Sequence, residues 1–271
     1  MAHLGYIYCC GYGAEQDLDK GLPYLRKAYE DGDPLAGVML GSVIAAYGDR
    51  IGIDPAAAPD YLKSIESMSP EDKEYAWGYY STGLYYYVMI GDPETAEKYF
   101  LTAADHGDTD AMNGLAQIYS DPGYSGYDPS KALDWYMKSY EQNSDAATAW
   151  LIGYSYDGGL FGEPDYEKAF QWYQTAAENG YGMAYNSIGD MYENGRYVEQ
   201  DTEKALEYYE RTLELGESIG YISLGYMYEQ GHGVEQSNDL ALEYYNLALE
   251  YGDASTQQIA RELIDALNAG E

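Results

Sequence analysis

Potentially reactive side chains are present in this chain, but none stands in a spacing typical of catalysis. A serine followed one helical turn later by lysine (SxxK) does not occur, and neither does GxSxG or HExxH. Gly11-Tyr12-Gly13 and Gly231-His232-Gly233 begin a phosphate-binding GxGxxG pattern, but Gln16 and Gln236 replace the third glycine. The sequence therefore predicts a protein that is not an enzyme and holds no cofactor.

Candidate metal ligands are few and poorly placed. His3 and Cys10 are seven residues apart and could share a helical face with Cys9 nearby, but all three lie at the start of the chain. His106 and His232 fit the end of a helix and a gap between helices, where an imidazole needs no metal. The adjacent cysteines cannot form a disulfide framework. We expect no metal site.

Charge is the most unusual feature of the composition. The chain has 14 basic and 47 acidic residues, a net charge of −33. Nucleic acid and anionic membranes would be repelled, and no apolar run is long enough to span a bilayer. A basic protein or peptide is the partner class that the charge favours, although acidity could also serve only to keep a monomer soluble. No secretory leader is visible, so we expect a cytoplasmic protein, or a secreted or periplasmic one if a leader preceded Met1.

One pattern recurs along the whole chain at intervals of 33 to 42 residues. In its first half, a mostly apolar residue is followed directly by a small residue, and a bulky residue comes three positions after the small one. The small residues are Gly5, Gly41, Gly83, Ala116, Gly153, Gly189 and Gly225. Its second half places a small residue three and four positions before bulky ones, as in Ala205/Tyr208/Tyr209, which puts them on one helical face. Each copy therefore predicts two helices that cross closely at the small residues.

The repeats predict an all-α solenoid of about seven helical hairpins and a C-terminal capping helix, folded as a single domain. Copy two is divergent: its gap carries Gly52, Pro55 and Pro59, and a linker at 69–71 follows it. The predicted repeats are residues 1–33, 34–72, 73–109, 110–145, 146–181, 182–217 and 218–253, with the cap at 254–271.

The motifs resemble those of the Sel-1-like repeat family, which is related to the tetratricopeptide repeats. They are LGxxY in the first helix, the gap Gly231-His232-Gly233-Val234, and KA followed by an aromatic pair, as in Lys168-Ala169 and Trp172-Tyr173. The resemblance covers nearly the whole chain and is weakest at 34–72, where Ile44 replaces the tyrosine. It implies a right-handed α-solenoid that acts as a scaffold for protein interactions and has no catalytic residues.

In solenoids of this kind the first helices line the concave face. Counting from the small residue, positions −3, +1 and +4 are not required by the core pattern and form one stripe. The stripe combines aromatic, amide and acidic side chains, with acids at +4 in the last three copies. Its candidate partner-binding residues are Tyr80, Leu84, Tyr87, Asn113, Gln117, Trp150, Tyr154, Asp157, Asn186, Asp190, Glu193, Ile222, Tyr226 and Glu229. We expect these acids to face solvent and the stripe to bind an extended or helical segment bearing Lys or Arg.

Two other functions remain open at this stage. Trp150 and the tyrosines of the stripe could stack on a glycan or cell-wall fragment, and such binding would ignore salt. Some bacterial members of the family are rich in cysteine and have been linked to β-lactam binding, which suggests a β-lactam-binding hydrolase. This chain has only Cys9 and Cys10, and labelling with a β-lactam would test that alternative.

Overall fold

The computed structural model describes residues 1–67 and 76–269, and in this part of the chain the only regular structure is helical. The predicted linker at 69–71 lies outside the described residues. The α-helices are α1 Ala2–Cys10, α2 Leu18–Glu30, α3 Pro34–Ile51, α4 Ala58–Leu62, α5 Ala76–Leu84, α6 Pro93–Asp105, α7 Thr109–Ser120, α8 Pro129–Asn143, α9 Ala146–Asp157, α10 Tyr166–Glu178, α11 Gly182–Asn194, α12 Thr202–Glu214, α13 Ile219–Gln230, α14 Asn238–Tyr251 and α15 Ala254–Ala269.

The helices divide into two compact units, Met1–Gln142 and Asn143–Glu271. In the first unit α1 packs on α2, α3 on α4, and α5 on α6. In the second unit α9 packs on α10, α11 on α12, and α13 on α14, which α15 then covers. The all-α fold of paired helices with a final capping helix is thus confirmed.

Most second helices begin at an acidic or hydroxyl residue that caps the free backbone N–H groups of the first turn. Asp201 accepts a hydrogen bond from the Lys204 backbone at 3.1 Å. The Lys204 side chain returns to Asp201 and lies over the ring of Tyr192, 5.1 Å from its centroid. Equivalent caps are Asp17, Asp92, Asp165 and Ser237. The lysine of the KA motif therefore joins the two helices of a hairpin.

The core of each hairpin lies where its helices cross. Tyr209 of α12 is fully buried against Gly189 of α11. A Cβ atom added to Gly189 would lie 2.6 Å from Cε1 of Tyr209. The crossing predicted from the small residues is therefore confirmed. The equivalent buried residues of the other second helices are Leu25, Leu62, Phe100, Tyr136, Tyr173 and Tyr245.

Two regions of the first unit depart from the regular hairpin. In copy two, α3 continues to Ile51, while the second helix is reduced to α4 between two short 3₁₀ turns, Pro55–Ala57 and Lys63–Ser67. In copy three, the first helix does not end at Leu84 but continues as a π-helical turn, Tyr85–Ile90. The wider π turn leaves Val88, Met89 and Ile90 exposed.

Candidate functional site

We call positions −3, +1 and +4 of each first helix its first-helix face. In the first unit two side chains of this face pack against the core, although the sequence pattern places them outside it. Tyr80 stacks on the buried ring of Phe100 at 5.8 Å, and Tyr87 meets the same ring edge-on at 6.5 Å. The expectation that Tyr80 and Tyr87 lie outside the core is wrong, because both rings pack against the buried ring of Phe100. Leu84 is exposed, as expected.

Leu84 borders an apolar cavity of about 330 Å³ in the first unit. Small side chains of α3 and the exposed apolar side chains of the π turn form its walls. The sequence pattern did not reveal this cavity, because it depends on the π turn. The lining residues are Tyr6, Ser42, Ala45, Ala46, Ser81, Leu84, Tyr85, Val88 and Met89.

The amides of copy four lie on α7. Gln117 is exposed, as its position predicts, whereas Asn113 is partly buried. The +4 residue here is Ser120, whose hydroxyl donates to the backbone oxygen of Gln117 at 2.8 Å. Copy four therefore has a short polar group at the position where the later copies have acids.

In the second unit the aromatic side chains of the face are partly exposed. Trp150 stacks on Tyr154, with ring centroids 5.4 Å apart, and its Nε1 donates to the Ser187 hydroxyl at 2.9 Å. Tyr154 is 60% exposed and Tyr226, its equivalent in copy seven, 42%. Ile222 is partly buried. The aromatic part of the predicted stripe is thus accessible at Tyr154 and Tyr226.

The +4 acids are held by the buried tyrosines of their own hairpins. Tyr173 donates to Asp157 at 3.3 Å, Tyr209 to Glu193 at 2.7 Å, and Tyr245 to Glu229 at 2.6 Å. In each pair the two residues are 16 positions apart. A buried tyrosine hydroxyl requires an acceptor, and these carboxylates provide it.

The expected solvent exposure is therefore wrong for Asp157 and Glu193. Glu193 is only 6% exposed, and the Asp157 side chain 13%. Asp190, also expected to face solvent, is partly buried and lies 2.8 Å from the Tyr209 hydroxyl. Glu229 is partly exposed. Whether any of them contacts a partner stays a prediction.

Two of these acids also contact a basic side chain of the next repeat. Arg196 donates to Asp157 Oδ1 at 2.7 Å, and His232 Nδ1 lies 2.8 Å from Glu193 Oε1. A further bond between repeats runs from the Ser223 hydroxyl to Asn186 at 2.8 Å. Neighbouring repeats are thus joined by polar contacts as well as by the core. The sequence pattern places His232 in a gap between helices and does not reveal this contact.

Burial raises the pKa of Asp190 to about 6, although the Tyr209 hydroxyl and the Arg196 charge oppose the shift. The Tyr209 hydroxyl lies within 3 Å of both Asp190 and Glu193 but carries one hydrogen, so it can donate to only one of them. A protonated Asp190 would relieve the competition. The same burial, with both acids, raises the pKa of Tyr209.

Comparison with known families agrees with this repeat geometry. The Sel1 repeat model matches residues 1–33, 74–108, 109–144, 146–181, 182–217 and 218–253. The chain belongs to the Sel1 repeat family. Sel1 repeat proteins are generally non-enzymatic scaffolds for protein–protein interactions. The hairpin of α3 and α4 falls between the matched segments, in keeping with its short second helix.

Solved Sel1 repeat structures share the fold. The protective antigen c5321 of uropathogenic Escherichia coli strains, which has an SLR fold, is 27% identical, with 97% of this chain and 56% of that chain covered and a TM-score of 0.62. A Sel1 repeat protein from Oxalobacter formigenes is 25% identical, with 83% and 86% covered and a TM-score of 0.59.

A curated relative, an uncharacterized protein of Neisseria meningitidis serogroup B, is 28% identical over 186 residues. The match covers 66% of this chain and 36% of that protein. The Sel1 repeats described here therefore correspond to only part of that relative.

Within the described part of these Sel1 repeats, no three or more His, Cys, Asp and Glu side chains gather closely enough to hold a metal ion. None of the described helices combines the length and the apolar character that crossing a membrane requires. Exposed tyrosines, the apolar cavity and the partly exposed Glu229 are accessible features of the described repeats.

Proposed function

We propose that this chain is a non-enzymatic scaffold that binds a segment of another protein on the first-helix faces of its repeats, and that the segment carries Lys or Arg. The observation that carries the proposal is the exposure of Tyr154 and Tyr226, 60% and 42%, at one repeated position. Each ring has one aromatic neighbour, Trp150 at Tyr154 and His232 at Tyr226, and the rest of its surface is open. Exposed rings at equivalent positions offer rigid contact area, which is typical of binding surfaces.

Charge supports a basic partner. The net charge of −33 attracts cationic segments from a distance and raises their rate of encounter. Near the rings, Glu229 is partly exposed and shares α13 with Tyr226. Such a surface would hold a segment by aromatic contact and select it by charge.

The first unit would contribute differently. Its cavity of about 330 Å³ is lined mainly by apolar and small side chains, and Leu84, Val88 and Met89 are exposed beside it. Apolar side chains of a bound protein would bury this surface. We therefore expect basic and apolar residues in the partner to contact different units of the scaffold.

A peptide library displayed on phage and selected on the immobilised chain tests this proposal. We expect enriched peptides with Lys or Arg whose affinity falls as salt rises. Tyr154→Ala with Tyr226→Ala should weaken binding at every salt concentration, because aromatic contacts are not screened. Tyr251→Ala is the matched control, since Tyr251 is also 60% exposed but lies on the second helix α14.

The proposal would be contradicted if no peptide were enriched, or if Tyr154→Ala with Tyr226→Ala left the affinity unchanged. If cell-wall fragments bound instead, with no dependence on salt, the first-helix faces would be assigned to glycan recognition.

A further inference from the structure

Two contacts between an acid and a basic side chain of the second unit share the same positions in the repeat. In copies five and six the acid four residues after the glycine, Asp157 or Glu193, accepts from the buried tyrosine of its own hairpin. The same acid also meets a basic residue seven positions after the glycine of the next copy, Arg196 or His232. Each acid therefore receives one tyrosine hydroxyl and one basic group.

The sequence shows that the acid and the base occur together. The four earlier copies have no acid four residues after their small residue. The copies that follow them have no basic residue seven positions after theirs. The residues four after the small residue are Cys9, Ala45, Tyr87 and Ser120, and those seven after it in the following copies are Gly48, Ile90, Gly123 and Leu160. A base is thus present only where the preceding copy supplies an acid.

Glu229 is the third acid of this series, and it contacts a tyrosine hydroxyl but no basic side chain among the described residues. Its Oε2 accepts from Tyr245 at 2.6 Å. After copy seven comes α15, an unbroken helix in place of a first helix followed by a gap. Among the described residues, no basic nitrogen lies within 4.0 Å of the Glu229 carboxylate. The side chain is partly exposed, so a group from outside can reach it.

We propose that a Lys or Arg side chain of a bound protein segment takes, at Glu229, the place that Arg196 takes at Asp157. The inference rests on the proposed function and makes it specific, because it names the carboxylate that recognises the basic residue. Asp157 and Glu193 have both oxygens occupied, so neither is open to a partner in this way. Tyr226 lies three residues before Glu229 and is 42% exposed beside the His232 ring, so its open surface can contact the aliphatic part of such a side chain.

The test uses a basic peptide recovered from the phage library, with each of its Lys or Arg residues replaced in turn by Gln. Affinities are measured for the unchanged chain, for Glu229→Gln and for the control Glu243→Gln. Glu243 is an exposed acid of the same repeat on α14. Glutamine at 229 keeps an acceptor for the Tyr245 hydroxyl, and a thermal melt checks that the fold is retained.

We expect one basic residue of the peptide to contribute to affinity by contacting Glu229. Its replacement should lower affinity roughly tenfold or more on the unchanged chain and on Glu243→Gln, but little on Glu229→Gln. If the peptide needs Tyr154 and Tyr226 while none of its basic residues is coupled to Glu229, the inference is wrong and the proposed function stands. If binding is insensitive to the tyrosines as well, both are wrong.

Discussion

The hydroxyl of Tyr209 on α12 lies 2.7 Å from a carboxylate oxygen of Glu193 on α11, inside the sixth hairpin. Because Glu193 also contacts His232 of the seventh hairpin at 2.8 Å, the pair connects the core of one repeat to the next. An acid that the sequence pattern places on a binding surface is thus part of the packing.

Tyr209→Phe should destabilise the protein. The substitution keeps the buried ring but removes the hydroxyl that lies within 3 Å of both Asp190 and Glu193, and unsatisfied buried groups cost about 1–3 kcal/mol. The melting temperature of the full chain provides the measurement. Tyr244→Phe, in a partly exposed ring stacked on Tyr228, is the control and should change it little. Equal melting temperatures for the two variants would show that the hydroxyl contacts are not important.

Gly189→Ala should also be destabilising, by about 1–3 kcal/mol as is typical of overpacking. The added Cβ would lie 2.6 Å from the Tyr209 ring. Ala116 occupies the equivalent position in copy four, which alone suggests that alanine is tolerated. There, however, no +4 acid fixes the tyrosine, since the residue is Ser120.

The control for this variant is Gly158→Ala. Gly158 ends α9 with a negative φ, and a Cβ there would meet its nearest atom at 3.4 Å. Thermal melts of both variants should show a clear loss only for Gly189→Ala. A melting temperature unchanged by Gly189→Ala would mean that the helices of copy six separate easily.

Asp190 should make the folded state less stable as pH rises from about 4 to about 6. Its pKa is about 6 in the folded protein and 3.8 without the shift, so between these values the folded state binds more protons than the unfolded state. Stability from this group is present below pH 4 and is lost as pH rises through 6. Asp190→Asn keeps an acceptor for Tyr209 and removes the titration.

Denaturant titrations at pH 4 and pH 7 measure this effect. The gain in stability from Asp190→Asn should be larger at pH 7 than at pH 4, by about 1–3 kcal/mol. Glu207→Gln, an exposed acid on α12, is the control and should give nearly equal changes at the two pH values. An identical effect of Asp190→Asn at both pH values would contradict the burial of this carboxyl group.

Salt should stabilise the protein. Self-repulsion from a net charge of −33 opposes folding, and the Debye length shrinks from about 30 Å at 0.01 M to about 10 Å at 0.1 M. The melting temperature should therefore rise over that range of sodium chloride. A flat or falling curve would mean that the acidic side chains are already compensated locally.

The sequence predicts the hairpins and the helical face that carries their aromatic residues, because these depend on helical periodicity within one repeat. Burial of Glu193 could not be predicted in that way. It depends on where the Tyr209 hydroxyl ends and on His232 of the following repeat. The spacing of 16 residues between +4 acids and core tyrosines, present only in the last three copies, is the signal that could have revealed these pairs.

In the first unit the limits of prediction have a different cause. Tyr87 reads as a surface residue because its position lies outside the core stripe of an ideal α-helix. The π turn after Leu84 changes the angular position of the residues that follow it. Tyr87 therefore turns toward Phe100, and Val88 and Met89 become exposed beside the cavity.

Site-specific photo-crosslinking tests the central claim most directly. p-Benzoylphenylalanine would replace Tyr154, Tyr226 or, as the control, Tyr251 in chains expressed in the source cells, and the adducts would be identified by mass spectrometry. We predict protein adducts at 154 and 226, attached to a segment that contains Lys or Arg, and none of comparable yield at 251. Adducts at 251 without adducts at 154 and 226 would contradict binding on the first-helix faces.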